Sequence, residues 1–344
     1  MMRFTLRPAA LLMMVLALAS CSDYSPTTNI PDPPPTPRDG LWTASGIAPG
    51  IFRLTSTQLQ ASDSVTPATS ITSNSAALSG FNALAFDADG TLWMTSQSDS
   101  QLVAFSTSAL ATSGLRAASR VITSADGSLD APSAHAFDAS HALWVANTNA
   151  GTIVRYDAAQ LATGGRLTPS VILSGVGHPT GLAFDAAGGL WFSDGSAHRV
   201  AKYSAAQLAT SGFILPQVVL TSHGPDISNA VGLAFDRAGN LWIANAGLSN
   251  IIAIQANHLA TTAFVDADIV LASSSTFPQL PLGVAFDDHQ NLWVMFAEGL
   301  LARYDHAALA TSGDPAPAVR LVIPDHVLFR SIAFWPRPAG LPLN

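Results

Sequence analysis

The chain has 344 residues, of which 48% are hydrophobic and 11% are charged, and its formal net charge at pH 7 is -8. This much apolar material is enough for a large core that folds without disulfides or metal ions. The acidic balance and the scattered Lys and Arg residues exclude the basic stripe that nucleic-acid binding requires. We therefore expect no nucleic-acid partner.

The first 20 residues have the pattern of an export signal. Arg3 and Arg7 precede an uncharged run of 12 residues, Ala9 to Ser20, which is shorter than the roughly 20 residues of a bilayer span. The run ends in Leu-Ala-Ser-Cys, which resembles a bacterial lipobox, in which the Cys is lipidated. This resemblance implies a lipoprotein anchored to the membrane through Cys21. The alternative is an ordinary signal peptide with Cys21, the single cysteine of the chain, as a bystander.

The segment after Cys21 is rich in proline, with Pro31, Pro33, Pro34, Pro35 and Pro37 close together. Proline favours extended backbone, so this segment predicts a semi-rigid tether. Among lipoproteins of this type, Asp directly after the Cys favours the inner membrane, and Ser22 at this position favours the outer membrane. The predicted organisation is a signal peptide at 1–20, the lipidated Cys and tether at 21–39, and a folded domain at 40–344, located outside the cytoplasm at the bacterial cell envelope.

A Leu-Ala-Phe-Asp element and its variants recur five times in the folded part, and a Trp follows each Phe at an offset of seven residues. The Phe residues are Phe86, Phe137, Phe184, Phe235 and Phe286, and the Trp residues are Trp93, Trp144, Trp191, Trp242 and Trp293. A fixed spacing of this kind indicates a repeat architecture. The residue pattern of each repeat predicts four short strands, which we call a to d. It also predicts a tight turn between strands a and b and one helical turn between strands c and d.

The two ends of the folded part complete the count of repeats. Leu41-Trp42 has no Phe-Asp element before it, and Ile332-Ala333-Phe334 has no Leu-Trp element after it. We therefore predict an all-β, six-bladed β-propeller of four-stranded antiparallel blades. Its last strand pairs with the N-terminal blade, which closes the ring and removes open sheet edges.

The segment Gly-Leu-Ala-Phe-Asp-Arg-Ala-Gly-Asn-Leu-Trp-Ile-Ala-Asn at 232–245 resembles the NHL repeat and the repeats of SMP-30/gluconolactonase and streptogramin-lyase-like propellers. The resemblance covers residues 41–335 and is specific for architecture rather than for function. The streptogramin lyase resembles a seven-bladed relative, whereas six blades are counted here.

The resemblance to SMP-30-type enzymes implies a divalent metal at the channel mouth, held by an early Glu, an Asn that begins a strand a, and an Asp that ends a strand b. Asp194 matches the Asp position. Asn82 is the single Asn at the second position but belongs to a different blade, and the Glu has no counterpart near Trp42. We therefore predict no cofactor. A divalent cation at the mouth is supported only by this partial match to the three metal ligands of the family.

Three positions after each Trp stand mostly small polar residues, namely Ser45, Ser96, Asn147, Asp194, Asn245 and Phe296. Equivalent positions form a ring in a propeller, and the d–a loops open on the same side. Polar groups that converge on a concave opening predict a ligand site. The candidate binding residues are Asp194, Asn147, Asn245, Asn82, Thr180, His178 and Arg330. The alternative for the Asn and Asp residues is that they only shape the b–c turns.

His135 occupies the position that holds Leu84 and Leu182 in other blades, and we interpret it as a core or channel histidine. No catalytic residue stands out. The sequence favours a non-catalytic binding or interaction scaffold whose partners are the membrane and an unidentified protein or small molecule. The alternative is a SMP-30/gluconolactonase-like hydrolase or lyase with its site at the channel mouth, which a cluster of carboxylates there would favour.

Replacing Cys21 with Ala tests the anchor. Because the lipobox resemblance makes this thiol the acylation site, Cys21→Ala should abolish labelling by a fatty-acid analogue and release the protein from the membrane fraction. Membrane retention and a mature mass equal to those of the parent protein would contradict lipidation.

Overall fold

The computed structural model describes residues 38–45, 50–60, 62–73, 80–222, 226–272, 280–324 and 329–341. The predicted signal peptide, Cys21 and nearly all of the predicted tether lie outside the described residues. In the part that is described, no helix is both long enough and apolar enough to cross a bilayer.

The described chain is almost entirely β-structure. In chain order, the first strands are β1 (Gly40–Ser45), β2 (Gly50–Leu54), β3 (Asp63–Ser64), β4 (Thr69–Ser73), β5 (Phe81–Phe86), β6 (Leu92–Ser96), β7 (Gln101–Phe105), β8 (Gly114–Arg116), β9 (Arg120–Ser124), β10 (Pro132–Phe137), β11 (Leu143–Asn147), β12 (Thr152–Tyr156), β13 (Gly165–Leu167) and β14 (Val171–Ser174). They are followed by β15 (Pro179–Phe184), β16 (Leu190–Asp194), β17 (Arg199–Tyr203), β18 (Gly212–Phe213), β19 (Val218–Thr221), β20 (Ala230–Phe235), β21 (Leu241–Asn245), β22 (Asn250–Ile254), β23 (Ala263–Phe264), β24 (Ile269–Leu271), β25 (Pro281–Phe286), β26 (Leu292–Phe296), β27 (Leu300–Tyr304), β28 (Val319–Val322) and β29 (Phe329–Trp335).

The strands form six sheets, one per blade, which confirms the predicted six-bladed propeller. From the channel outward, the antiparallel strands of blades 1 to 6 are β29-β1-β2-β4, β5-β6-β7-β9, β10-β11-β12-β14, β15-β16-β17-β19, β20-β21-β22-β24 and β25-β26-β27-β28. The innermost strands, which correspond to strand a of the sequence repeat, therefore lie side by side around the axis.

Five of the six sheets carry a fifth, parallel strand that the sequence did not predict. This strand comes from the c–d insert of the following blade, as where β18 pairs with β14. In blade 5 the same position is reduced to a single bridge between Leu271 and Gly313. The extra strand covers the backbone groups of strand d, which would otherwise form an exposed sheet edge.

The insert that supplies this strand begins with the predicted helical turn. In blade 3 it is the α-helix α1 (Ala158–Thr163), which Asp157 and Gln160 cap and Gly164 ends with a positive φ of 65°. The inserts and loops of the other blades form single 3₁₀ turns, at Gln58–Gln60, Ala109–Ala111, Gln207–Ala209, Ala246–Leu248, Ala256–His258 and His306–Leu309.

The Asp of each repeat holds both the a–b turn and the Trp of strand b. One carboxylate oxygen of Asp185 accepts the backbone N–H groups of Ala187 and Gly189, and the other accepts the indole N–H of Trp191 at 3.0 Å. The equivalent Trp–Asp pairs are Trp93–Asp87, Trp144–Asp138, Trp242–Asp236 and Trp293–Asp287, at 2.9–3.0 Å. In the split blade, where Trp335 rather than Asp follows the strand-a Phe, Trp42 donates to the Arg38 carbonyl at 2.9 Å.

Four of the buried Trp residues also pack edge to face against the strand-a Phe of the following blade. Trp42 meets Phe86 edge to face with ring centroids 5.9 Å apart, and Trp242 meets Phe286 at 6.0 Å. Small residues on the opposite face of strand a let the inner strands approach. A Cβ at Gly181 would lie 1.9 Å from the backbone oxygen of Val231 in the next blade. The core of the propeller therefore lies between blades, where large side chains pack against small ones.

The closing strand has the predicted partner and the register of the other blades. In β29, Phe334 lies opposite Leu41 and Ala333 lies opposite Trp42, as Phe86 and Ala85 lie opposite Leu92 and Trp93 in blade 2. Phe334 also packs edge to face on Trp293 of blade 6 at 6.2 Å. The two chain ends therefore share one blade, which confirms the predicted closure of the ring.

Deleting residues 327–344 tests this closure. The deletion removes β29 and exposes the inner edge of β1, so we expect aggregation or a loss of roughly 3 kcal/mol or more of folding free energy, as for the loss of large buried side chains. The matched control deletes only residues 336–344 and keeps the strand. Chemical denaturation and size-exclusion chromatography measure both effects, and a monomeric long deletion with the stability of the control would refute the closure.

Candidate functional site

A cavity of about 610 Å³ lies at the centre of the ring, and strand a of every blade contributes to its wall. Gln97, Thr148 and Asn229 line one end, where the b–c and d–a loops meet. We call this end the mouth. The other end is lined by Ala88 of an a–b turn and by the C-terminal segment 335–338.

The first complete ring of side chains below these loops is formed by the residues four positions before each Phe. They are Asn82, Ser133, Thr180, Val231, Leu282 and Arg330, and all six line the cavity. We call them the mouth ring. Three of the predicted site residues, Asn82, Thr180 and Arg330, thus lie in one ring.

Two hydroxyls of the mouth ring connect neighbouring blades. Ser133 donates to the Pro179 carbonyl at 2.8 Å, and Thr180 donates to the Ala230 carbonyl at 2.8 Å. Both acceptors belong to strand a of the next blade. These hydroxyls are therefore already engaged, and they stabilise the ring as well as contributing polarity to its surface.

Arg330 is the charged member of the mouth ring. Its side chain is exposed, and within the described part of the chain its guanidinium has no ion-pair or hydrogen-bond partner. The carboxamide of Asn82, its neighbour in the ring, makes no hydrogen bond to described residues either. The guanidinium and the amide therefore belong to the same ring of the cavity wall, and neither has a partner in the part of the chain that the structure describes.

The other predicted residues hold loops. Asp194 is only 1% exposed, and its carboxylate accepts hydrogen bonds from the His178 and Ala197 backbone N–H groups and pairs with Arg199 at 3.0 Å. Asp194 is therefore buried and is not exposed at the opening of the cavity. Strand b ends at this residue, and the buried carboxylate ties that end to the preceding d–a loop.

Asn147 and Asn245 make the same connection in their blades and are fully buried. Asn147 accepts the Asp130 backbone N–H at 3.2 Å, and Asn245 accepts the Ser228 backbone N–H at 2.6 Å. His178 is exposed on its d–a loop. None of these residues, nor Asp194, is among the described residues that line the cavity. They therefore do not share a surface with Asn82, Thr180 and Arg330, and their binding role stays a prediction.

His135 lines the cavity two residues deeper than the mouth ring. The equivalent positions in the other blades hold Leu84, Leu182, Leu233, Val284 and Ile332. The imidazole is only 6% exposed, and neither of its nitrogens has a hydrogen-bond partner among the described residues. Burial lowers the pKa of His135 to about 3, and an interaction with the Trp93 backbone offsets only part of this effect. The histidine is therefore neutral at pH 7.

The C-terminal segment forms the far end of the cavity, which sequence reasoning missed because the segment has no repeat pattern. Arg237 donates to the Ala339 carbonyl at 2.8 Å, and Ala339 donates to Asp288 at 2.9 Å. Arg337 lines the cavity here. Burial lowers the pKa of Arg337, and the nearby Asp87 carboxylate offsets part of this decrease.

The described lining does not fit the divalent metal that the family resemblance implies. It contains His135 and no Asp or Glu, and no three His, Cys, Asp or Glu side chains gather as metal ligands among the described residues. Hard divalent cations require several oxygen ligands, and Asp194, the one matching carboxylate, is held by loop N–H groups and Arg199.

Replacing His135 with Leu, the residue of three equivalent positions, tests the cost of this buried imidazole. Since an unsatisfied buried polar group costs about 1–3 kcal/mol, His135→Leu should raise the free energy of unfolding at pH 7 by that amount. His289→Leu, at an exposed position outside the cavity lining, should change it by less than about 0.5 kcal/mol.

The pH dependence gives a second readout. The pKa of His135 lies below its ordinary value of 6.5, so the unfolded chain binds the proton more readily between pH 6.5 and 3. The parent protein should therefore lose about 2 kcal/mol between pH 7 and pH 5 through this group, and His135→Leu should remove that loss. Equal slopes of stability against pH in the two proteins, measured by urea denaturation, would contradict a buried neutral imidazole.

Comparison with known proteins agrees with the propeller fold. The structure of streptogramin B lyase matches with a TM-score of 0.51 at 14% sequence identity, covering 71% of this chain and 69% of the lyase. Selenomethionine-substituted virginiamycin B lyase from Staphylococcus aureus gives 0.47 at 13% identity, covering 66% and 67%, and its catalytically inactive variant with quinupristin gives 0.48 at 14%, covering 70% and 71%. At such identities the likeness to the first structure supports the fold alone.

No curated protein sequence matches the chain. The family model described as "SMP-30/Gluconolactonase/LRE-like region" matches residues 48–223. This match runs from the split first blade to the loop after strand d of blade 4, which is just over half of the chain. The protein therefore belongs to the SMP-30/gluconolactonase/LRE-like family of propellers.

Proposed function

We propose that this propeller is a non-catalytic binding protein that holds a small molecule in its axial cavity. The observation that carries the proposal is the mouth ring, in which the Asn82 amide and the Arg330 guanidinium, neither with a partner among the described residues, lie above an apolar wall. A concave, mostly apolar site with a few convergent polar groups is the usual form of a small-molecule site, and its volume of about 610 Å³ is within the ordinary range.

The proposal places this activity at the bacterial cell envelope, with the protein anchored through Cys21 and held away from the membrane by the Pro-rich tether. The apolar run ending in Cys21 and the cluster of prolines after it support this placement. Family membership is compatible with such a role, because a fold carries many functions and the site decides among them.

The alternative, a hydrolase or lyase at the mouth, requires groups that move protons or polarise a substrate. The carboxylate with the matching position, Asp194, is buried and bonded to loop N–H groups and to Arg199. The one histidine of the described lining, His135, has its pKa lowered to about 3 by burial, far below the value near 7 that suits a general base at neutral pH. These features favour binding over turnover.

The test screens sugars, lactones, amides and organic acids for compounds that raise the melting temperature of the protein, and then examines each by mass spectrometry. We expect bound compounds to be recovered unchanged after long incubation. Leu282→Trp, which places a large side chain in the mouth ring, should abolish the stabilisation because it blocks the opening.

Leu248→Trp is the matched control, since Leu248 is an exposed leucine outside the cavity lining and its replacement should leave binding intact. Conversion of a bound compound to product by the parent protein but not by Leu282→Trp would contradict the non-catalytic proposal. Stabilisation that persists unchanged in Leu282→Trp would place the ligand elsewhere.

A further inference from the structure

The charges of the cavity lining are of one sign. The described lining contains Arg330 at the mouth and Arg337 at the far end, and it contains no Asp or Glu, although the chain as a whole carries a formal net charge of -8. Arg337 has the Asp87 carboxylate nearby. Arg330 has no such partner among the described residues, so its charge is the uncompensated one.

Arg330 is held where it can meet a ligand that enters the cavity. It belongs to β29, which lies beside β5, as the hydrogen bond from the Leu84 N–H to the Ser331 hydroxyl shows. Asn82 of β5 is therefore its neighbour on one side of the mouth ring, and Leu282 of β25 is its neighbour on the other side. A guanidinium binds a carboxylate through two parallel N–H···O bonds, and an adjacent amide can donate a further one.

Below the mouth ring the wall becomes apolar. The next ring contains Leu84, Leu182, Leu233, Val284 and Ile332 together with His135, and all of these line the cavity. Both nitrogens of the buried imidazole lack a hydrogen-bond partner among described residues. A buried polar group in an otherwise apolar wall costs folding free energy unless a ligand or a water molecule supplies the missing hydrogen bond.

We propose that the ligand of this cavity is an organic anion with a single acidic group and an apolar body, whose acidic group binds Arg330 and Asn82 while its body occupies the ring around His135. This inference rests on the proposed binding function and names the ligand class. A polar substituent on the body that reaches His135 adds a hydrogen bond, since a neutral imidazole can either donate or accept one.

The experiment compares three compounds of one shape with the full chain by isothermal titration calorimetry: 4-phenylbutanoate, its neutral amide and the cationic 4-phenylbutylamine. Charge-assisted hydrogen bonds are stronger than neutral ones, so the acid should bind roughly tenfold more tightly than the amide, and the amine should bind most weakly. Raising the salt concentration should reduce the preference, as expected for an ion pair at an accessible site.

Arg330→Gln should abolish the preference for the acid over the amide, and Arg330→Lys should retain only part of it, because lysine keeps the charge and loses the paired donors. Arg320→Gln is the matched control, since Arg320 is an exposed arginine on β28 outside the cavity lining and its loss changes the net charge equally. That control should keep the full preference. Unchanged melting temperatures would show that all three variants are folded.

The outcomes separate this inference from the proposed function. Equal binding of the acid and the amide, or a preference that survives in Arg330→Gln, would overturn the anionic ligand class while cavity binding stands. Binding of none of the three compounds would overturn the anionic ligand class, and the compound screen then decides the proposed function. Binding that Leu282→Trp leaves unchanged would place the ligand outside the cavity and would overturn both proposals.

Discussion

In five of the six blades, the indole of strand b donates a hydrogen bond to the Asp that follows strand a, and the rest of the propeller depends on this interaction. In blade 3, one oxygen of Asp138 accepts two backbone N–H groups of the a–b turn, and the other accepts Trp144. Burial acts to raise the pKa of this carboxyl, but hydrogen bonds from Ser140 and Trp144 outweigh it and leave the pKa lowered. One ionised side chain thus sets both the turn and the indole, and the indole then packs against the following blade.

This contact fixes the distance between blades, and the distance fixes the channel. Strand a lies close to its neighbour because small residues face it, as at Gly181 and Gly232, whose added Cβ atoms would lie 1.9 and 2.7 Å from a neighbouring backbone oxygen. The width of the cavity is therefore a property of the backbone. The mouth-ring positions are not under this constraint, so they can hold side chains as different as Val231 and Arg330, and ligand specificity can change there without disturbing the frame.

The sequence predicted the blades, the split blade and the closing strand because the Phe, Asp and Trp at fixed offsets are the contacting groups themselves. It could not predict the fifth strands, since pieces as short as Gly212–Phe213 have no periodicity and pair with another blade. Four of the seven candidate residues, namely Asp194, Asn147, Asn245 and His178, lie outside the described lining of the cavity. Ser, Asn or Asp at the same offset after the Trp in five blades is a signal of loop fixation, and read that way it would have placed Asp194 inside the protein. Ring position identified Asn82 and Arg330, and nothing in the local sequence marked 335–338 as the far wall.

The place of Arg330 follows from closure of the ring. Its strand is the one inner strand that arrives from the C-terminus rather than from a hairpin with its own strand b, so the chain end that completes the structure also brings the charge to the mouth. Charges in solvent are largely screened beyond about 8 Å at physiological salt, so the acidic residues of the outer surface contribute little to the potential at the opening. Among the described lining residues, the Arg330 guanidinium is the charged group at the mouth, and it lies above an apolar wall. An acidic group at this point exchanges hydrogen bonds to water for hydrogen bonds to the paired N–H donors of the guanidinium. The apolar part of the same molecule leaves water and packs against the apolar ring below. Only a ligand that carries both an acidic group and an apolar body gains binding free energy from both contacts.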